Sequence, residues 1–241
     1  MPKKNNSIFI SLICNLLLVF VKGITGLLAN SDALVADAIH SMTDVTAFFI
    51  NYRACKECEL FGGTDEKGTN EKNSQRIAEI ETMATYYTGV FLLTVGLAIY
   101  FCYSTILLLG RSERPEPITV VVAFVALAVY AGLCKYLESA DNEVVKHCVV
   151  TSRNVVWQNK LNLVSGTVVV IGLIASMLGF YFMDELAAIV VGGILVGMGV
   201  KWIIETKEEL SAGIKRHFRS VTISSILVSV VLAAISLSIR L

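Results

Sequence analysis

Charged residues are scarce in this 241-residue chain: they make up 17% of it, where a soluble domain of this size has about a quarter. Acidic and basic residues balance at 20 each, so the composition gives no sign of a nucleic-acid-binding surface. The chain has no glycine-rich phosphate loop, no HExxH zinc motif and no Ser/His/Asp arrangement. We therefore expect neither a nucleic-acid partner nor an enzyme.

Hydrophobic residues make up 55% of the chain and are gathered in long runs. A bilayer core needs about 20 mainly apolar residues per helix, and backbone groups in hydrocarbon must be satisfied within the segment. The sequence therefore predicts an all-α polytopic transmembrane bundle with the lipid bilayer as its surroundings. The predicted spans are residues 8–28, 33–52, 83–109, 118–136, 155–182 and 186–204, with a seventh at 221–239 for which a surface helix is the alternative.

The links between the spans are short, with one exception. Residues 30–32 predict a tight turn, Pro115 and Pro117 break the chain between spans three and four, and Asp184-Glu185 is expected to separate spans five and six. The exception is a polar segment, residues 54–75, which is interpreted as a long loop. These links predict a series of antiparallel helical hairpins.

Lysine and arginine gather on one side of the predicted spans. They precede span one, follow spans two, four and six, and are nearly absent from the other side. By the positive-inside rule the N-terminus is cytoplasmic, and a seventh span would place the C-terminus outside. Four residues on the cytoplasmic side could hold a soft metal, although ordinary interfacial residues are the favoured interpretation: Cys55, Cys58, His147 and Cys148.

Span two carries three ionisable residues that share one helical face. Asp37, His40 and Asp44 have the spacing i, i+3, i+7. Because an ionisable residue at the bilayer centre costs at least about 2.5 kcal/mol, three on one face favour an ion or proton site over simple interhelical hydrogen bonding. Span one is interrupted by Asn15 and Lys22, which argues against a cleaved signal peptide and predicts that Lys22 faces the bundle interior.

Span five carries a second polar stripe with no ionisable member. Gln158 and Asn162 lie four residues apart, a spacing that lets two side chains contact one ion. Hydrogen bonding between helices is an equally good interpretation of this stripe.

Two segments resemble the cation diffusion facilitator family. The stretch GITGLLANSDALVADAIHSMTDV, residues 23–45, is similar to the family's second helix, and residues 157–189 are similar to its helices five and six. The family's members have six helices, form dimers and exchange divalent metals for protons. The resemblance places His40 and Asp44 on the first pair of metal ligands, and Gln158 and Asn162 on the second pair.

This resemblance implies a metal site of His40, Asp44, Gln158 and Asn162, with Asp37 nearby. The second pair departs from the family's pattern, because both of its residues are amides. The family usually has histidine or aspartate at the first position and aspartate at the second. Amides are poor zinc ligands, so we expect weak binding. Residues 1–210 are expected to form the family's transmembrane domain. Residues 211–241 are expected to form a basic linker and an extra hydrophobic helix, without the family's soluble C-terminal domain.

The implied function is proton-coupled transport of a divalent metal of the zinc, iron or manganese class, with no bound cofactor. The alternative is a non-transporting subunit that assembles with a complete family member. The implied partners are a second copy or another family member, a divalent cation and protons. The expected location is a bacterial cytoplasmic membrane or an organelle derived from it such as the magnetosome. Parts of the sequence resemble family members found in magnetosome membranes.

Overall fold

The computed structural model describes residues 6–62, 71–110, 112–144 and 149–207, with side chains within 12–50, 79–80, 82–110, 112–136 and 158–206. These residues form six helices and confirm the predicted all-α bundle. The helices are α1 (Asn6–Leu28), α2 (Asp32–Gly62), α3 (Glu71–Leu108), α4 (Pro117–Val144), α5 (Val149–Met177) and α6 (Met183–Lys207). The predicted linker and seventh span, residues 211–241, lie outside the described residues.

The outer surface of the bundle is apolar. Helices α2 to α6 each contain a stretch long and apolar enough to cross a membrane, and α1 contributes Leu12–Leu28. Large side chains such as Leu17, Phe20, Leu108 and Ile171 are exposed on this surface. An apolar surface of this extent would not be stable in water, and it identifies an integral membrane protein.

Two helices extend beyond the hydrophobic spans, so the predicted loop at residues 54–75 is too long. Helix α2 continues to Gly62 and α3 already begins at Glu71. The helical extensions, residues 54–62 and 71–75, contain several glutamates and lysines, which favour helix in water. Hydropathy therefore marks where a helix leaves the hydrocarbon, and not where it ends.

Helix α5 ends earlier than its predicted span, at Met177 instead of residue 182. Gly179 adopts a left-handed backbone with φ of 105°, and the Phe180 N–H donates to the Ala175 carbonyl at 3.2 Å. This is the usual glycine termination of a helix, which can occur inside an apolar run. Asp184 and Glu185, expected in the turn, lie instead in the first turn of α6.

The predicted turn at residues 30–32 is confirmed. Asn30 has φ of 51°, and the Ser31 N–H donates to the Gly26 carbonyl at 2.9 Å, which closes α1. Ser31 then caps α2, because its Oγ accepts the Leu34 N–H at 3.1 Å. The proline break between α3 and α4 is also confirmed, with Pro117 as the first residue of α4.

Helices α3 and α6 make the most extensive contact among the described helices. Glycines line this contact: a Cβ on Gly96 would lie 2.7 Å from the Val196 nitrogen, and one on Gly199 would lie 2.6 Å from the Leu93 nitrogen. Helix α2 also contacts α1, α3, α5 and α6, and this central position brings its polar face into the interior.

Candidate metal site

The N-terminal end of α2 is fixed by a carboxylate from α6. Asp184 accepts hydrogen bonds from the Asp32 N–H at 2.6 Å, from the Ala33 N–H at 3.4 Å and from the Ser31 hydroxyl at 3.0 Å. A helix leaves its first N–H groups without partners and carries a partial positive charge there, so a carboxylate stabilises this end. Asp184 thus positions the helix that carries the predicted ligands.

The polar stripe of α2 lies inside the bundle, as its spacing predicted. Asp37, His40 and Asp44 are all buried, with His40 fully inaccessible. Ile39 and Met42, on the opposite side of the helix, are exposed on the surface of the bundle. The sequence pattern alone therefore identified the inward face of α2.

Helices α2 and α5 meet at two of the predicted ligands. The Asn162 Nδ2 donates to the Asp44 Oδ2 at 2.5 Å, and both side chains are buried. Gln158 is also buried, one turn before Asn162, on the same face of α5. The structure thus brings Asp44 and Asn162 together, as the resemblance implied for these helices.

Several polar atoms around this contact have no hydrogen-bond partner among the described residues. They are both ring nitrogens of His40, Oδ1 of Asp44, Oδ1 of Asn162 and Nε2 of Gln158. A buried polar atom without a partner costs about 1–3 kcal/mol, and native proteins have few of them. This concentration on the facing stripes of α2 and α5 is the property expected of a site that takes a ligand.

The available donors define the chemistry of such a ligand. An imidazole nitrogen, a carboxylate oxygen and an amide oxygen can all coordinate a divalent cation, whose charge the one carboxylate would partly balance. In the described part of the chain, no three His, Cys, Asp or Glu side chains lie together in a way that could hold a metal ion. A metal ion here would therefore depend on the amides of α5 or on water.

Asp37 stands apart from this group. Its Oδ2 forms an ion pair with the Lys22 ammonium at 2.9 Å, and its Oδ1 accepts a hydrogen bond from the Ser165 hydroxyl at 3.1 Å. Both carboxylate oxygens are therefore engaged elsewhere. The prediction that Lys22 faces the interior is confirmed, since its side chain is completely buried.

Two partners of Lys22 were missed by sequence reasoning. The Ser41 hydroxyl and the Tyr130 hydroxyl lie 2.5 Å and 3.0 Å from the ammonium. Ser41 follows Asp37 by four residues, so its spacing could have revealed it, whereas nothing in the sequence of α4 distinguishes Tyr130. The side chains of Cys55, Cys58, His147 and Cys148 lie outside the described residues.

Comparison with known proteins identifies the family. Residues 8–211 match the cation efflux transmembrane domain, which covers most of the chain. The chain therefore belongs to the cation efflux family, the cation diffusion facilitators.

Similar proteins within that family include magnetosome proteins. The chain is 28% identical over 184 residues to magnetosome protein MamB of Magnetospira sp. strain QH-2, covering 76% of this chain and 59% of the relative. It is 29% identical over 184 residues to MamB of Magnetospirillum gryphiswaldense, covering 76% and 58%. It is 22% identical over 193 residues to the manganese efflux system protein MneS of Bacillus subtilis, covering 80% and 63%. The chain spans about three fifths of the length of these relatives.

Proposed function

We propose that this chain moves a divalent metal cation across a membrane through a site formed by His40 and Asp44 on α2 and by Gln158 and Asn162 on α5. The observation that carries this proposal is the Asp44–Asn162 contact, which joins the two helices beside the His40 nitrogens, themselves buried without hydrogen-bond partners among the described residues. Membership of the cation efflux family supports the same function.

The metal is of the zinc, iron or manganese class. His40 provides nitrogen, which suits zinc and iron, and the carboxylate and amide oxygens suit the harder manganese ion. A relative is named as a manganese efflux protein, which favours that end of the range. Because only His40 and Asp44 among the four side chains can titrate, proton exchange would use these two groups.

We place the chain in a bacterial cytoplasmic membrane or in a magnetosome membrane derived from it, with a cytoplasmic N-terminus. The similarity to magnetosome proteins and the distribution of lysine and arginine support this placement. A reporter enzyme that is active only in the cytoplasm, fused after Leu241, tests the topology. If the seventh segment crosses the membrane, the reporter lies outside and is inactive.

The second candidate function is that of a partner subunit that does not transport. The amides at both α5 positions favour it, because a site without two of its usual charged ligands binds metal weakly. Such a subunit would assemble as a heterodimer with a complete family member, whereas a transporter of this family would also function as a homodimer.

The test is uptake of Mn²⁺ or Zn²⁺ into vesicles that contain this chain alone. The native chain is expected to accumulate metal, and His40→Ala is expected to abolish uptake while leaving assembly intact. Met42→Ala, on the lipid-facing side of the same helix, is the matched control and should behave as the native chain. Equal uptake by native and His40→Ala chains would contradict the proposed site.

Uptake into the same vesicles distinguishes the partner subunit from the transporter. A partner subunit would give no uptake alone, with or without His40, but would raise uptake when a complete family member is incorporated with it.

A further inference from the structure

The ammonium of Lys22 lies in a ready-made cation site inside the bundle. Four oxygens surround its Nζ: Asp37 Oδ2 at 2.9 Å, the Asp37 carbonyl at 3.2 Å, Ser41 Oγ at 2.5 Å and Tyr130 Oη at 3.0 Å. The nitrogen also lies 5.0 Å from the centroid of the Tyr130 ring. A buried ammonium has three protons to donate, and this shell satisfies all of them.

Two helices supply this shell, α2 with Asp37 and Ser41 and α4 with Tyr130, and α1 carries the enclosed Lys22. The remaining oxygen of Asp37 is held by Ser165 of α5. The carboxylate therefore has no free oxygen for another ligand, although it lies on the same face of α2 as His40 and Asp44.

The charges of this pair act on the candidate metal site. Asp37 lies one turn before His40 on the same face of α2, and Lys22 is paired with it at 2.9 Å. The negative charge of Asp37 would attract a cation toward the site, and the positive charge of Lys22 opposes that attraction. Interactions between charges are strong in such a water-poor interior.

We propose that Lys22 is a tethered cation that fills a second cation position on α2 and removes Asp37 from the ligands of the transported metal. The chain is thereby limited to one divalent cation, held at His40 and Asp44. The location of that open site rests on the proposed function, and the role of Lys22 is additional to it.

Binding of Mn²⁺ to purified chains, followed by electron paramagnetic resonance of the free ion, tests this role. Lys22→Met frees Asp37, so the variant should bind Mn²⁺ about tenfold more tightly or bind a second ion. Lys22→Met/Asp37→Asn is the matched control. It should bind Mn²⁺ as the native chain does, because no free carboxylate is available at position 37 in either chain.

Two results would overturn the proposal. One is a Lys22→Met chain with native affinity and stoichiometry. The other is a Lys22→Met/Asp37→Asn chain that binds Mn²⁺ about tenfold more weakly than the native chain, which would make Asp37 a metal ligand. If Lys22→Met does not fold, Lys22→Gln replaces it with the same expected gain, since the amide keeps hydrogen bonds without the charge.

His40→Ala distinguishes the failure of this proposal from the failure of the proposed function. If His40→Ala loses Mn²⁺ binding and Lys22→Met gains neither affinity nor a second ion, only the proposed role of Lys22 is contradicted. The opposite outcome is also possible. If His40→Ala binds Mn²⁺ as the native chain does, and Lys22→Met shows a gain that Asp37→Asn abolishes, only the proposed metal site is contradicted.

Discussion

Helices α3 and α6 are joined by glycines, whereas α2 meets α1, α4 and α5 through buried polar side chains. At the first contact, added Cβ atoms on Gly96 or Gly199 would lie under 3 Å from backbone nitrogens of the opposite helix. At the second, Lys22, Asp37 and Asp44 form hydrogen bonds between helices. The two regions hold the same bundle together by different means.

The difference has a physical basis in the membrane. Lipid tails are as apolar as leucine, so helices there associate through close packing and through hydrogen bonds. The glycine contact depends on close packing of the two backbones, which leaves no room for an added Cβ atom. The polar contact contains charges and, among the described residues, buried polar atoms without hydrogen-bond partners, which a bound ion could engage. We therefore expect the α3/α6 pair to act as a rigid support and the α2/α5 contact to carry the function.

The largest effect is expected from breaking the buried ion pair. Asp37→Asn leaves the Lys22 charge buried without a counter-charge, which should lower the free energy of unfolding by about 3–5 kcal/mol. Thermal unfolding in detergent measures this change. Lys22→Met/Asp37→Asn removes both charges and should recover most of the loss, so a double variant as unstable as the single one would contradict this account of the polar region.

The glycine contact should show a smaller loss of stability and no specific effect on metal. Gly199→Ala places a Cβ against the backbone of α3 and should destabilise the chain by about 1–3 kcal/mol. Gly197→Ala, in the same helix, is the matched control, because its Cβ meets nothing within 4 Å. Equal unfolding temperatures for the two variants would mean that α3 and α6 do not pack this closely.

A third change tests the link between the two regions. Asp184→Ala removes the carboxylate that caps α2 and should lower the free energy of unfolding by about 0.5–2 kcal/mol. Asp184→Asn keeps an oxygen that accepts hydrogen bonds and should cost less. Hydrogen exchange of the α2 amide groups locates the effect, and an unchanged exchange rate at Asp32 and Ala33 in Asp184→Ala would show that Asp184 does not hold this helix.

Hydropathy predicted the six helices and their order, but not their ends. Apolar runs show where the chain enters lipid, while the termination of α5 depends on the conformation of Gly179 and the extension of α2 to Gly62 depends on helix propensity in water. Periodicity predicted the inward face of α2, because charged residues in a membrane avoid lipid. The contact of Asp44 with Asn162 followed only from the resemblance to the family, since no single-helix pattern shows which helices are neighbours.

The partners of Lys22 were the hardest part of the polar region to predict. Their convergence depends on three helices packing at one depth, and the contribution of Tyr130 leaves no trace in the local sequence. The role of Asp184 was hidden for the same reason, because its partners are the Ser31 hydroxyl and the first N–H groups of α2, the Asp32 N–H lying 152 residues earlier in the chain.

The central claim is that His40, Asp44, Gln158 and Asn162 converge on one metal ion, and Zn²⁺ binding to a rebuilt site tests it most directly. Gln158→His together with Asn162→Asp restores the ligand types that the family uses, and titration calorimetry compares the Zn²⁺ affinity of this variant with that of the native chain. We predict a gain of about tenfold or more, a smaller gain for either single change, and loss of the gain on adding His40→Ala. A rebuilt chain that binds Zn²⁺ no more tightly than the native chain would contradict the convergence of the four positions.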